Sequence, residues 1–375
     1  MSWNVRLRPH RTATARREDF GEVTPERPFC YPAAMAGTGV VIDPRYMDHD
    51  TGAGHPECAE RIGALLPLVE ALAPEVTRLQ ARPATPDELA LVHEPEYIKE
   101  VAATQALPHF AFDADTPTSP RSYETARLAA GGFLVLLDAI MAGDVENGFA
   151  LARPPGHHSE SGRAMGFCFF NNIAVGAQYL RRRYGLGRVL IVDWDLHHGN
   201  GTQHMFESDP GVLYVSTHQF PYYPGSGNFG EVGTGEGEGY TVNLPFPAGF
   251  GDAEYRQAFE RIVEPVARQY DPQFVLISAG FDAHARDPLG GMMVSEAGFG
   301  ALARVLLDVA TEHSQGRCAA ILEGGYDLSA IRSSVHHVLA AFGGRLAADS
   351  RALPPSRAAA VLERVKKTQR RFWKL

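Results

Sequence analysis

Cysteine is scarce in this chain and shows no pairing pattern: Cys30, Cys58, Cys168 and Cys318 lie far apart, with no C-x-x-C pair. That usage speaks against a structural zinc knuckle and against a disulfide framework, and reduced thiols fit a cytoplasmic location. No apolar run is read as long enough to cross a bilayer, so no membrane role is expected. Arg16-Arg17 lacks the apolar segment an export signal would need before Pro25 and Pro28 interrupt the chain. A nucleic-acid module or interleaved aromatic platform is also missing, so no specific nucleic-acid partner is expected.

What is present is a globular composition, 45% hydrophobic and 21% charged over 375 residues, enough for one large α/β domain. Residues 1–17 hold five arginines and no acid, and residues 357–375 hold seven basic residues and one glutamate. Against a net charge of −9, the body between them therefore carries −20. Such a body is solubilising and also favours the approach of cationic substrates. Composition sets a basic arm (1–37) and a linker with a basic helix (346–375) apart from the body between them (38–345). In that last helix Val361, Val365 and Phe372 share a face that docks on the acidic body. An arm docked on a neighbouring acidic body would make a homo-oligomer.

Apolar spacing predicts helices at 122–142, 170–184, 252–270 and 295–314. Strands are predicted at 39–43, 148–152, 188–193, 212–217, 240–244, 273–279 and 318–322. Strands separated by helices imply a mostly parallel sheet covered on both faces. The glycine-rich segment 218–239 is too long for a simple connector and suits a site mouth. The run Val189–Val192 ends in Asp193, Asp195 and His197, whose alternation aims them roughly one way. Phe274–Ala279 ends in Gly280-Phe281-Asp282, and Ala319–Leu322 in Glu323-Gly324-Gly325-Tyr326. Ligands bind outside the carboxyl ends of such strands. Asp193, Asp195 and His197 are thus candidate metal ligands, with Asp282 at the end of another such run. The adjacent His157 and His158 suit acid–base chemistry on an amide.

The ordered motifs RPPGHH (153–158), GFCFFNN (166–172), DWDLHHGNGTQ (193–203), SAGFDAHARDPLGG (278–291) and EGGY (323–326) resemble the zinc-dependent histone deacetylase superfamily. The pattern is closest to class II enzymes and their bacterial amidohydrolase relatives. Weaker matches at 55–62 and 91–97 extend the likeness over about residues 38–345. The resemblance implies an arginase-like single α/β domain with an eight-stranded parallel sheet between helices. It implies zinc at Asp195, His197 and Asp282, where a carboxylate-rich set also accepts Fe2+. His158 would be the main general base and acid, and His157 the electrostatic support. Asp193 would pair with His157 and Asn200 with His158, the asparagine being the class II form. Tyr326 would donate to the developing oxyanion.

Further positions follow from the same resemblance. Gly166, Phe167 and Tyr223 would flank the channel for an acyl-lysine stem, with Tyr223 standing where phenylalanine is usual. Leu289 would sit at the entrance, where polyamine-selective relatives carry glutamate, and Asp115 would be the rim aspartate that binds substrate amides. A structural K+ site would draw on Asp193, Asp195, His197 and Ser216, chiefly through main-chain oxygens.

The leading expectation is therefore hydrolysis of acetyl or other acyl groups from an acyl-lysine peptide or protein, by metal-activated water. Amidohydrolysis of a small acylated amine, acetylpolyamines included, uses the same chemistry and differs only at the rim. A dinuclear manganese ureohydrolase would need a second metal set. A non-enzymatic acyl-group reader would be favoured by loss of a ligand, a catalytic histidine or Tyr326, and none is missing.

Overall fold

The computed structural model describes residues 37–346 and 355–375. Expectations for the basic arm fall almost wholly outside these residues, as does most of the expected linker. The described residues form one unit. Its strands are β1 (Thr38–Val41), β2 (Val76–Leu79), β3 (Phe110–Ala111), β4 (Pro117–Thr118), β5 (Asn147–Ala150), β6 (Val189–Asp193), β7 (Val212–Gln219), β8 (Thr241–Phe246), β9 (Phe274–Ala279) and β10 (Cys318–Leu322). Eight of them form a sheet in the order β2-β1-β5-β10-β9-β6-β7-β8, every pair parallel. β3 and β4 make a separate antiparallel hairpin. Every residue of β6, β9 and β10 is buried, which is why these strands read as continuous apolar runs. The edge strand β2 was not expected: Thr77 and Arg78 face solvent, and four residues of mixed character carry no recognisable period.

The helices Ser122–Ala142, Asn172–Tyr184 and Glu296–His313 lie close to their expected bounds. The first is, contrary to the sequence reading, long and apolar enough to cross a membrane. Most of its apolar surface is buried inside the protein, so it is a core helix that covers the sheet. The expected helix 252–270 is divided by a π-turn, Phe259–Val263, between Asp252–Ala258 and Glu264–Tyr270. Pro265 has no N–H to give the ladder, and the slip to a wider spacing occurs just before it. Leu328–Phe342 is a helix the sequence reading passed over.

At the C-terminus, Ala359–Gln369 packs on β8 through Leu362 and Val365. Gln369 Nε2 donates to Thr241 O at 3.1 Å, and Trp373 Nε1 to Gly239 O at 2.9 Å. The buried seam is therefore Leu362, Val365 and Gln369, not Val361, Val365 and Phe372. Helical spacing puts the former three on one line, and the helix ends before Phe372.

Candidate active site

The sheet order sets β10, β9 and β6 side by side. Asp193 is paired with Ser278 and Leu322 with Ala279, so the segments leaving the three strands open onto one place. Asp195, His197 and Asp282 meet there, with donor atoms all within 4.8 Å of one another. His197 Nδ1 lies 2.9 Å from Asp282 Oδ2 and 3.3 Å from Asp195 Oδ1. The other carboxylate oxygens are oriented by the backbone: Gly324 N–H donates to Asp195 Oδ2 at 2.8 Å, and Leu196 N–H to Asp282 Oδ1 at 2.9 Å. Only glycine allows this approach. A Cβ on Gly280 would fall 1.9 Å from Asp195 Oδ2, and one on Gly324 2.4 Å from Asp282 Oδ2.

Burial pushes Asp282 up to about 7, and the Asp195 charge adds to the effect. Asp195 itself is held below the usual carboxylate range, because His157 and His197 outweigh its burial. Two buried carboxylates and one imidazole, each already fixed by a second hydrogen bond or a packed ring, fit a divalent cation whose charge would offset theirs.

Beside this group, His157 Nδ1 lies 3.0 Å from Asp193 Oδ2, which also accepts from the Tyr214 hydroxyl at 3.2 Å. Burial works against a charge on His157, yet Asp195 and Asp193 prevail and push it up to about 10. His158 behaves oppositely: burial, then the neighbouring His157 and His197, hold it well below the ordinary histidine value. Its Nδ1 lies 2.8 Å from Asn200 Oδ1. Glu323 Oε2 accepts from the N–H groups of Gly156 and His157, at 2.6 and 3.2 Å, and so fixes the loop that carries both histidines. Burial pushes Glu323 up to about 7.

A cavity of about 400 Å³ reaches these groups. Its lining includes His157, His158, His197, Phe167, Tyr223, Gly166, Tyr326, Leu289 and Asp115, so the expected substrate-contacting residues are gathered in one place. Tyr223 stands edge-on to His158, with centroids 5.2 Å apart. Phe167 meets Tyr326 edge-on at 5.9 Å. Gly166 and Phe167 both take positive φ, +57° and +69°, and this turn presents the phenyl ring to the cavity. Burial and the Asp282 charge raise the Tyr326 phenol well above its ordinary value. Asp115 lies on the β3–β4 connection, its carboxyl raised by burial and by Asp113, and its carbonyl meets His55 Nε2 at 3.2 Å. Ser216 is the register partner of Asp193, but its hydroxyl bonds His218 Nδ1 at 2.9 Å, while the His197 ring turns to the carboxylates.

Sequence reasoning missed several contributors. Tyr222 stacks on His197 with centroids 5.6 Å apart and donates to Leu289 O at 2.7 Å, tying the long loop across the mouth. Asp287 Oδ2 accepts from Tyr326 N–H at 2.7 Å. Beneath lies a fully buried ionic group in which Glu57 Oε1 meets Arg61 at 2.9 Å and Arg153 at 2.7 Å. Arg61 in turn donates to Gly325 O and sits 5.1 Å from the Tyr326 ring centroid. The E-x-x-x-R spacing at 57–61 was the available signal, and it reads equally well as a surface pair.

The family described as "Histone deacetylase domain" matches residues 55–342. The chain is 40% identical over 317 residues to "Histone deacetylase 10, chloroplastic" of Oryza sativa subsp. japonica, covering 80% of this chain and 71% of that one. It is 42% identical over 298 residues to "Polyamine deacetylase HDAC10" of Homo sapiens, covering 75% of this chain but 44% of that protein. Among solved structures, "Crystal Structure of HDA15 HD domain" superposes with a TM-score of 0.83 at 40% identity, over 90% of this chain and 95% of that one.

Proposed function

The chain belongs to the histone deacetylase family and is a deacetylase, and on that footing we propose that it removes acyl groups from Nε-acyl-lysine side chains. The observation that carries this reading is the cavity itself. Aromatic rings at Phe167 and Tyr223 line a space that leads to Asp195, His197 and Asp282, with apolar Leu289 among its walls. An acyl-lysine offers an apolar stem with an amide at its end, which suits such walls.

Asp195, His197 and Asp282 would hold the divalent ion, zinc in this family, which when bound polarises the scissile carbonyl and eases deprotonation of water. His158 is neutral and takes that proton at Nε2, since its Nδ1 is engaged by Asn200, and it then returns the proton to the departing amine. His157, oriented by Asp193, keeps its proton and so places positive charge beside the reacting carbonyl. Tyr326 stays protonated and donates its hydroxyl to the carbonyl oxygen as negative charge gathers there. The same donor set accepts Fe2+. We extend the proposal to K+ held by main-chain oxygens around Asp193, Asp195, His197 and Ser216.

A second reading, hydrolysis of acetylpolyamines, draws on Asp115 in the cavity wall and on the human polyamine deacetylase relative. The test is turnover of zinc-loaded protein on acetyl-, propionyl-, butyryl- and longer acyl-lysine peptides beside N-acetylated putrescine, cadaverine and spermidine. Preference for peptides is expected. Preference for polyamines would replace the proposal with the second reading, and inactivity across the panel with metal bound would remove both.

A further inference from the structure

Behind the catalytic imidazole runs a short chain of polar groups that ends at the surface. Asn200 Oδ1 faces His158 Nδ1 at 2.8 Å, while Asn200 Nδ2 lies 2.5 Å from Glu160 Oε1 and 3.3 Å from the His158 carbonyl. The same Glu160 oxygen meets Nδ1 of the half-exposed His204 at 2.8 Å. Glu160 is itself anchored through its backbone. Its N–H donates to Arg163 O at 2.9 Å, and its carbonyl accepts from His93 Nδ1 at 3.1 Å.

The donor and acceptor roles in this chain leave one solution. An ionised carboxylate only accepts, and so does a peptide carbonyl. Glu160 and the His158 carbonyl therefore both claim the NH2 of Asn200, and only its oxygen remains for His158. An amide oxygen also only accepts, so His158 Nδ1 must carry the hydrogen and Nε2 must keep the lone pair. We infer that Glu160 is a positioning residue for this enzyme, selecting through the Asn200 amide the tautomer in which His158 can act as base. An amide does not readily pass a proton along, so the chain orients the base and is not a proton wire. The asparagine explains the need: a carboxylate at position 200 would accept with either oxygen, whereas an amide has two unlike ends.

This inference rests on the reading of His158 as the base, and its test separates the two. The zinc-loaded full chain is compared with Glu160→Ala and Glu160→Gln by steady-state kinetics on an acetyl-lysine peptide and by NMR of the imidazole nitrogens. Glu160 does not line the acyl cavity. Glu160→Ala should therefore lower kcat about tenfold at unchanged KM and mix the His158 tautomers. Glu160→Gln, whose side-chain oxygen can take the same place, should stay within about twofold of wild type and keep the Nδ1–H form. Wild-type kcat or an unmixed tautomer in Glu160→Ala would overturn the inference, as would a glutamine variant impaired as severely as the alanine one. The tautomer is read without turnover, so an inactive wild type would refute the deacylase reading while the NMR still decided the role of Glu160.

Discussion

Asp193, Asp195, Asp282 and Glu323 are all fully buried, a concentration of acid that a protein interior tolerates only with partners. His157 answers Asp193, His197 answers Asp195 and Asp282, and backbone N–H groups answer Glu323. The two adjacent histidines are driven in opposite directions. Tyr326 is the cleanest residue to test, because its hydroxyl can be removed without touching the metal group. Tyr326→Phe should retain metal, measured by atomic absorption, and lose turnover by about 100- to 1000-fold. Wild-type turnover in that variant would remove Tyr326 from the mechanism.

At the scale of elements, the site depends on buried strand ends and on the loops that lie over them. β6, β9 and β10 are buried throughout, and Tyr222 ties the loop after β7 to Leu289 across the mouth. The C-terminal helix Ala359–Gln369 serves another purpose, covering the edge strand β8, and supplies no residue to the cavity. A sheet edge left open would present unpaired groups to other chains. Leu362 is 2% exposed on the face of that helix turned to the strand. Leu362→Ala should destabilise the protein by about 2–3 kcal/mol while kcat stays at the wild-type value. Denaturant melts beside kinetics check this, and an unchanged midpoint would mean that the helix is not part of the cooperative unit.

For the whole molecule, acid sensitivity follows from histidines outside the catalytic group. His93 accepts the Asn171 N–H at Nε2 at 2.8 Å, so protonating that nitrogen would break the bond. Burial, against the pull of the Ser161 and Glu160 carbonyls, holds His93 at about 4, while a free histidine titrates near 6.5. Between those values the unfolded chain takes up a proton that the folded one refuses. Stability from His93 is therefore complete above about pH 6.5 and falls as the pH drops toward 4. His218, also buried and held at about 4, acts with the same sign. Urea melts from pH 7 to 4 should show this slope in wild type, and His93→Gln should flatten it. A variant as steep as wild type would place the acid sensitivity elsewhere.

The candidate site was legible in the sequence because it is written in short segments. Asp193, Asp195 and His197 follow one apolar run, Asp282 another and Tyr326 a third, so their residue types and their positions at strand ends could be read along the chain. The strands themselves were legible for the same reason, since burial on both faces demands unbroken apolar runs. The half-exposed edge strand β2, the π-turn before Pro265 and the burial of helix Ser122–Ala142 were not, because each depends on what lies alongside in space. The same holds for the stacking of Tyr222 on His197, the buried Glu57–Arg61–Arg153 group and the reach of Glu160 to Asn200. By itself the sequence determined which candidate groups stand at which strand ends. Tertiary structure alone decided that those ends are neighbours, which oxygen faces which nitrogen and which charges lose their water, because sheet order and burial arise from contacts between residues far apart in the chain.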